Sequence, residues 1–534
     1  MKDVYLKDLE KLNKYQQEAV VSNDGALLLR AAVGSGKTTV LVHKVLYLHL
    51  IREVPLEDMV VLTFTNKAAE EIKSRIEVFG NSLRERMKYF GTFHSVSRTL
   101  LRESSSLESL GYTRDFKVMD NDEASEMLEN IIKNNRLNIK YSSKLMKRIE
   151  EFKKGKHLYG VMKKQDDIEC LLSLYKEEKV SKNLMDFDDL IENCLQIIDS
   201  AVSPKWIIID ELQDTDIRQL KLVKAMCSPH TKIFAVGDPN QIIYSWRTGN
   251  TNIFKSFKEL FCPKELSLSY NYRSTRTILE ASKAFMGEGE LDGVKGYGSP
   301  IIITRHHDAF NEALHIARRL RELNNEGIPF GSIGVLYRRQ AQGEVLFDTF
   351  QKENIPCRMV FKSTLIYEDQ DAAEQDGRIS LMTLHGSKGL EFTHVFITGV
   401  NAGNIPLSQK RSEEEEEARL FFVGMTRAKV YLELSYLSRP SLPGMVPYLS
   451  PYISMLPQDL LKREDQEGGA SLKELVKLLR DEKEKNQRQE LRKATHPKYG
   501  EGSIVYEDDS IIKVMFEGYG EKEFSKLFSP LKTE

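Results

Sequence analysis

Cysteine is scarce in this chain. Five are present among 534 residues, at positions 170, 194, 227, 262 and 357, and no two form a Cys-x-x-Cys pair. That pattern argues against a zinc ribbon, an iron–sulfur cluster and a disulfide framework. Tryptophan is scarcer still, with two residues. An excess of either charge is also missing: 77 basic and 79 acidic residues leave a net charge of -2. The total announces no polyanion partner, although a local basic surface would serve one equally well. No apolar run approaches the roughly 20 residues that cross a bilayer. The opening MKDVYLKDLEKLNKYQ lacks the hydrophobic centre of a signal peptide. These absences lead to the expectation of a cytoplasmic protein with no membrane contact.

What is present is the texture of a folded, multi-domain protein. Hydrophobic residues make up 41% and charged residues 29%, the balance of a globular chain and not a disordered one. The length exceeds what one core normally supports. Several short apolar runs end in polar or Gly-containing turns: ALLLRA (26–31), MVVLTFT (59–65), WIIIDE (206–211) and KIFAVGD (232–238). Such runs suit strands buried on both faces of a parallel sheet. Amphipathic segments follow two of them, TVLVHKVLYLHLI after 38 and NKAAEEIKSRIEVF after 65. Residues 95–185 are Lys/Glu-rich, free of proline and helical in pattern, which suggests an inserted helical subdomain. A second strand series then appears: PIIITR (300–305), SIGVLYR (332–338), RISLMTL (378–384) and HVFITGV (394–400). Two α/β units in tandem is the simplest reading. Near the end, KELVKLLRDEKEKNQRQELRKA reads as a charged helix or linker, and HPKYGEGSIVYEDDSIIKVMFEGYGEKEF as a small β-barrel-like module.

The stretch AAVGSGKTT (31–39) carries the chemistry. A Gly-rich turn between a buried strand and a helix presents backbone N–H groups at the helix N-terminus, where they hold phosphate oxygens. Ala32, Val33, Gly34, Ser35 and Gly36 form that turn. Lys37 would reach the β/γ-phosphates of ATP and Thr38 would ligate Mg²⁺. The alternative, a Gly-Ser loop before a chance lysine, ignores the strand before it and the helix after it. WIIIDE supplies the partner acids: Asp210 to hold Mg²⁺ and Glu211 to activate the attacking water. Paired carboxylates ending a buried strand are costly without such a role. Gln213 and Asp214 follow, and Gln241 closes IFAVGDPNQ where it would sense the γ-phosphate.

Taken in order, these blocks resemble the UvrD/Rep/PcrA family of superfamily 1A DNA helicases over nearly the whole chain. LNKYQQEAV resembles the Q motif, AAVGSGKTT motif I, TFTNKAAEEIKSRI motif Ia and GTFHS (91–95) the block after it. DELQDTD resembles motif II, VGDPNQIIYSWRTGN motif III, LSYNYRS (268–274) motif IV, LMTLHGSKGLEF (381–392) motif V and EEARLFFVGMTRAK (416–429) motif VI. Family members commonly carry Ala at the first motif I position, so Ala31 is ordinary. Ala32 replaces a Gly, and Thr39 stands where relatives often place an Arg against adenine.

The resemblance implies two RecA-like P-loop motor domains with a helical 1B-type insertion and a small C-terminal Tudor/SH3-like β-barrel. The expected boundaries are 1–94 and 188–265 for the first motor domain, 95–187 for the insertion and 266–455 for the second motor domain. A linker would occupy 456–492 and the β module 493–534. ATP and Mg²⁺ are the implied cofactors. Gln16 would contact adenine, Tyr272 would stack on it, and Glu391 would bind the ribose. Arg273 and Arg427 would reach the γ-phosphate from the second domain, a contribution worth ~10³–10⁵ in rate in other phosphoryl-transfer systems.

Movement 3′→5′ on single-stranded DNA and at single-strand/duplex junctions is implied, with unwinding or, alternatively, protein displacement as the outcome. A scaffold with a dead ATP site is disfavoured because the ATP-site residues are all present. Single-strand contacts would fall to Thr63, Phe64, Thr65, Asn66, His94, Tyr244, Trp246, Arg247, Thr383 and His385, with Lys388 a weaker candidate. Base stacking is worth about 1–3 kcal/mol per base.

The interval from Ser274 to Leu381 has room for a motor domain but not for the domain-sized 2B insertion of full-length relatives. No nuclease signature follows motif VI. The C-terminal module would contact a protein such as RNA polymerase or a repair factor, and the chain would be a monomer or weak dimer. Two acidic clusters read as helix starts: Ser412 capping a helix with Glu415 at its third position, and Asp188–Asp189 in MDFDDL, where capping is preferred to metal binding.

Overall fold

The computed structural model describes residues 2–80, 82–139, 145, 149, 165–198, 203–243, 252–287, 292–360, 377–408, 410–465, 493–507, 511–516, 519–525 and 532–533. The chain divides into two compact units, 1–465 and 466–534.

The first unit is built on two parallel sheets. Six strands make the first, in the order Phe90–Thr92, Met59–Thr63, Trp206–Ile209, Lys232–Gly237, Ala26–Ala31 and Lys264–Leu268. Continuous apolar runs are what a sheet covered on both faces requires. Leu27, Leu29, Val61, Ile208, Phe234 and Val236 pack with Val40, Leu41 and Val45 of the helix Lys37–Leu50. The alternate residues Leu28, Val60, Leu62, Ile207, Ile209 and Ala235 pack on the opposite face, with Val96 and Leu100 of the helix Phe93–Glu103 and Leu220 and Val223 of Ile217–Met226.

Helices Asn121–Asn134 and Gln165–Ser181 share their own small core around Met127, Leu128, Ile131, Leu171 and Tyr175. The helix Phe187–Ile197 starts at Asp186, whose carboxylate accepts from the Asp189 backbone N–H at 2.9 Å. Asp189 returns the bond to the Asp186 N–H and is paired with the buried Lys179 at 2.6 Å. The acids of MDFDDL therefore cap a helix and neutralise a lysine.

Seven strands form the second sheet, all parallel: Cys357–Met359, Ile379–Thr383, Ile333–Tyr337, Phe392–Ile397, Ala428–Leu437, Ile301–His306 and Leu461–Asp465. The last strand lies beyond the expected limit at 455, within the stretch assigned to a linker. LKRED is almost wholly charged, so it carries no strand signal. It needs only one partner, Ile301–Arg305, and charged residues are typical of a sheet edge. At the other junction, Lys264–Leu268 completes the first sheet and runs past residue 265. Residues 466–492 lie outside the described residues.

The helix that leads to motif VI spans Arg411–Met425 with Lys410 at its N-cap, so Ser412 lies inside the helix and does not cap it. Within this helix Glu417 is buried, where it pairs with Arg338 and accepts from the Leu407 N–H at 2.9 Å.

The second unit is a five-stranded antiparallel sheet, ordered Gly520–Ser525, Ile511–Phe516, Gly500–Glu507, Lys493–His496 and Lys532–Thr533. Ala494, Ile504, Ile512, Val514 and Phe516 form its core.

Candidate functional site

The phosphate-loop sequence folds into a turn between the strand Ala26–Ala31 and the helix Lys37–Leu50. Gly34 and Gly36 take φ of +66° and +82°, values that L side chains rarely adopt. Space excludes a side chain as well: a Cβ on Gly34 would come within 2.6 Å of Asn271 Nδ2, and one on Gly36 within 2.9 Å of Gln16 Nε2. Ser35 Oγ is buried and has no hydrogen-bond partner among the described residues. A buried hydroxyl left unpaired in a loop of this shape fits a phosphate oxygen.

Two neighbours brace the loop. Gln16 is held in a capping box at the start of the helix Lys14–Val21, and its Nε2 donates to the Ser35 carbonyl at 3.0 Å. Asn271 is fully buried. Its Nδ2 donates to the Val33 carbonyl at 2.8 Å, and its Oδ1 accepts from the N–H groups of Arg273 and Ser274 at 2.9 Å each. The Tyr272 N–H donates to the Gly34 carbonyl at 2.9 Å, while its half-exposed ring projects beside Asn13, whose Nδ2 donates to the phenol oxygen. Nothing in the local sequence marks Asn271 for this bracing role.

Asp210 ends the strand Trp206–Ile209 and Glu211 turns sharply away, at φ +50°. Burial, reinforced by the neighbouring Glu211 and opposed by Lys37, pushes the Asp210 carboxyl up to about 7. Burial also acts to raise Glu211, but Lys37, Lys388, the Gln213 amide and Arg427 outweigh it and hold this carboxyl below its ordinary value. Adjacent acids pushed in opposite directions are the pattern of a divided task. No group of three or more His, Cys, Asp or Glu forms a metal cage among the described residues. Thr38 and Asp210 nonetheless suit Mg²⁺, which usually keeps several waters and takes one or two protein oxygens beside substrate phosphate.

The second sheet delivers its basic residues to the same place. Arg427 follows the helix Arg411–Met425 and is buried; it donates to the carbonyls of Val423 and Leu390 at 3.0 Å each and to Gln241 Oε1 at 3.5 Å. Burial and the nearby Arg273 pull its guanidinium down to about 9. Arg273 pairs with Glu391 at 2.6 Å, and Glu391 also holds Lys429 at 2.7 Å. Lys388 crosses from the second sheet to Asp214 Oδ1 and the Gln241 carbonyl, both at 2.7 Å. From the sequence Lys388 reads only as a weaker phosphate contact. Burial pushes Asp214 up to about 6, against the pull of Lys388. Val33 and Ile243 are buried in the hydrophobic core of the second sheet, and Phe64 packs against it.

The residues expected to follow nucleic acid occupy carboxyl ends of strands, the edge of open α/β sheets where ligands bind. Thr63 ends the strand Met59–Thr63 in register with Thr92, two residues before His94. Thr63 Oγ1 donates to the Thr65 carbonyl at 2.9 Å, and Thr65 caps the helix Asn66–Glu77. His94 meets the Phe187 ring edge-on at 5.4 Å. Thr383 ends its strand and accepts from the Gly386 N–H at 3.1 Å, one residue beyond His385. Tyr244, Trp246 and Arg247 lie outside the described residues.

A phosphate loop and strand-end acids on one parallel α/β sheet, met by arginines from a second, define a two-domain P-loop architecture. The UvrD/REP helicase N-terminal domain matches residues 12–262, and the UvrD-like helicase C-terminal domain matches 266–365 and 359–439. The chain belongs to the UvrD/Rep/PcrA family of superfamily 1A helicases. It is 30% identical over 376 residues to a protein of Staphylococcus epidermidis named ATP-dependent DNA helicase PcrA, covering 66% of this chain and 51% of that one. The Staphylococcus aureus protein of the same name matches at 30% over 380 residues, with the same coverage. The chain thus spans about half the length of these relatives. No described helix is long and apolar enough to cross a membrane.

Proposed function

We propose that this chain is an ATP-dependent DNA helicase or translocase that moves 3′→5′ on single-stranded DNA. The observation that carries the reading is the convergence of Lys388 and Arg427 from the second sheet on Glu211, Asp214 and Gln241 of the first, with Arg273 beside Arg427. Each sheet holds half of a phosphoryl-transfer site, so catalysis requires the two to meet.

Bound ATP with Mg²⁺ supplies the phosphoanhydride whose hydrolysis drives the cycle. The loop 32–36 and Lys37 would hold the phosphates, with Thr38 and Asp210 as ligands of the metal. Glu211, kept ionised, accepts the proton of the attacking water. Arg273 and Arg427 neutralise charge developing on the transferred phosphoryl group. Tyr272 stacks on adenine; Gln16 borders the loop at its adenine end, and Thr39 leaves the other face of the base less covered than an arginine would. Glu391 exchanges its pairing with Arg273 for the ribose. Once the phosphates separate, the arginines lose their anionic partner and the cleft opens.

Thr63, Thr65, Asn66 and His94 on the first sheet, and Thr383 and His385 on the second, would grip successive phosphates. A change in spacing between the sheets then becomes a step along the strand. The C-terminal sheet is assigned to a protein contact as a Tudor-like module, and the helices between the first sheet's strands to a 1B-type insertion.

Replacing Lys37 by Ala tests the site. ATP turnover stimulated by single-stranded DNA should disappear, and full turnover in Lys37→Ala would remove the phosphate loop from the mechanism.

A further inference from the structure

We propose that Gln213 and Asp238 are positioning residues that couple cleft closure to Glu211. The proposal rests on the ATP-hydrolysis reading above.

Glu211 needs such help. Its left-handed backbone throws the side chain off the strand direction, a conformation that is unfavourable for a non-glycine residue. Gln213 lies two residues on, in the 3₁₀ turn Leu212–Asp214, and is 2% exposed. Its Nε2 donates to Glu211 Oε2, and its Oε1 accepts from the Asp238 N–H at 2.9 Å. The Asp238 N–H can only donate, so the oxygen must face it and the NH₂ must face Glu211. Gly237 leaves room for this arrangement, since a Cβ there would approach Gln213 Oε1 to 2.8 Å.

The same logic continues outward. Asp238 Oδ2 accepts from Gln241 Nε2 at 2.6 Å, and its Oδ1 accepts from the Asn240 N–H at 3.0 Å. A carboxylate cannot donate, so Gln241 turns its Oε1 the other way, toward Arg427 Nη2. Arg427 donates only. From Arg427 through Gln241, Asp238 and Gln213 to Glu211, every hydrogen bond therefore points the same way. Chains of aligned hydrogen bonds polarise one another in a buried setting. The outermost donor belongs to the second sheet, and the innermost acceptor is the water-activating carboxylate of the first. When Arg427 withdraws, Gln241 Oε1 loses its donor, the chain loses its outermost bond, and the alignment of Glu211 loosens with it.

The test is ATP turnover by the full chain at saturating single-stranded DNA, with binding of a fluorescent ADP analogue measured alongside. Gln213→Glu keeps the acceptor for Asp238 and sets an oxygen against Glu211, while Gln213→Leu removes both contacts. Each should lower kcat about tenfold or more, within the range general-base catalysis contributes, and leave nucleotide affinity within about threefold (~0.7 kcal/mol). In the Glu211→Gln background, Gln213→Leu should cost nothing further. A cycle of Gln213→Leu with Arg427→Lys should likewise be strongly non-additive, although the two side chains do not touch.

Unchanged kcat, a loss confined to nucleotide affinity, or fully multiplicative losses in both cycles would overturn the proposal. A merely structural Gln213 would give the last two. If Glu211→Gln itself turns over normally, the ATP-site reading falls and takes the relay with it. If Glu211→Gln is inactive and Gln213→Leu is not, the relay alone falls.

Discussion

Asn271→Ala is the substitution whose effect follows most directly from the structure. Asn271 is buried and makes three hydrogen bonds, to the Val33 carbonyl and from the N–H groups of Arg273 and Ser274. Removing it strands two backbone donors and one acceptor. An unsatisfied buried polar group costs about 1–3 kcal/mol. Three such costs do not simply add, because the loop would shift to admit water. A net loss of about 2 kcal/mol in the docked loop is a restrained value, and it corresponds to roughly 30-fold in an equilibrium constant. That loop carries Tyr272 and Arg273, so the loss should appear in kcat/KM for ATP at saturating single-stranded DNA. Asn271→Asp keeps the acceptor for Arg273 and Ser274 but sets a buried carboxylate oxygen against the Val33 carbonyl, so it should rescue none of the loss. The reasoning fails if Asn271→Ala is folded by urea titration yet retains kcat/KM within about threefold (~0.7 kcal/mol).

Arg427→Lys should lower kcat by about 10³-fold, because a lysine cannot serve the Val423 and Leu390 carbonyls and Gln241 together; stopped-flow phosphate release reads this, and a loss below tenfold would contradict the role. Glu312 gives a pH signature. Burial, against bonds from the Ser435 hydroxyl and the Gly399 N–H, raises its carboxyl to about 7. The folded state then binds more protons than the unfolded one between about pH 4.5 and 7, so this group's contribution to stability falls as pH rises through that window. Glu312→Gln should abolish the slope, gaining up to about 3 kcal/mol on the parent at pH 8 relative to pH 5, as urea unfolding at each pH would reveal; parallel curves would refute it. DNA affinity should fall steeply with salt if phosphate contacts carry it, as fluorescence anisotropy would read; a flat dependence would contradict them.

The two sheets were legible because both faces of each central strand are apolar. Leu27 to Leu29 and Trp206 to Ile209 could hardly lie elsewhere. The phosphate loop and the acids at 210 and 211 were equally plain, since their chemistry is local in sequence. The edge strand Leu461–Asp465 was not, because its charges satisfy a sheet edge and mimic a linker. Contacts made across long separations were also hidden. Asn271 reaches Val33 and Lys388 reaches Asp214, and nothing in either local stretch names its distant partner. The helix start at Arg411 was misplaced by two residues, Ser412 being the better capping residue by type. Glu417, from the acidic run below it, turned inward to Arg338.

The central claim is that ATP turnover in this cleft moves the protein in one direction along single-stranded DNA. Strand displacement on duplexes with a 3′ or a 5′ single-stranded tail, with ATPase followed in the same reactions, tests it most directly. The account predicts ATP-dependent displacement from the 3′-tailed duplex, little from the 5′-tailed one, and neither displacement nor turnover in Lys37→Ala. Equal displacement from both tails, or displacement that persists in Lys37→Ala, would contradict it.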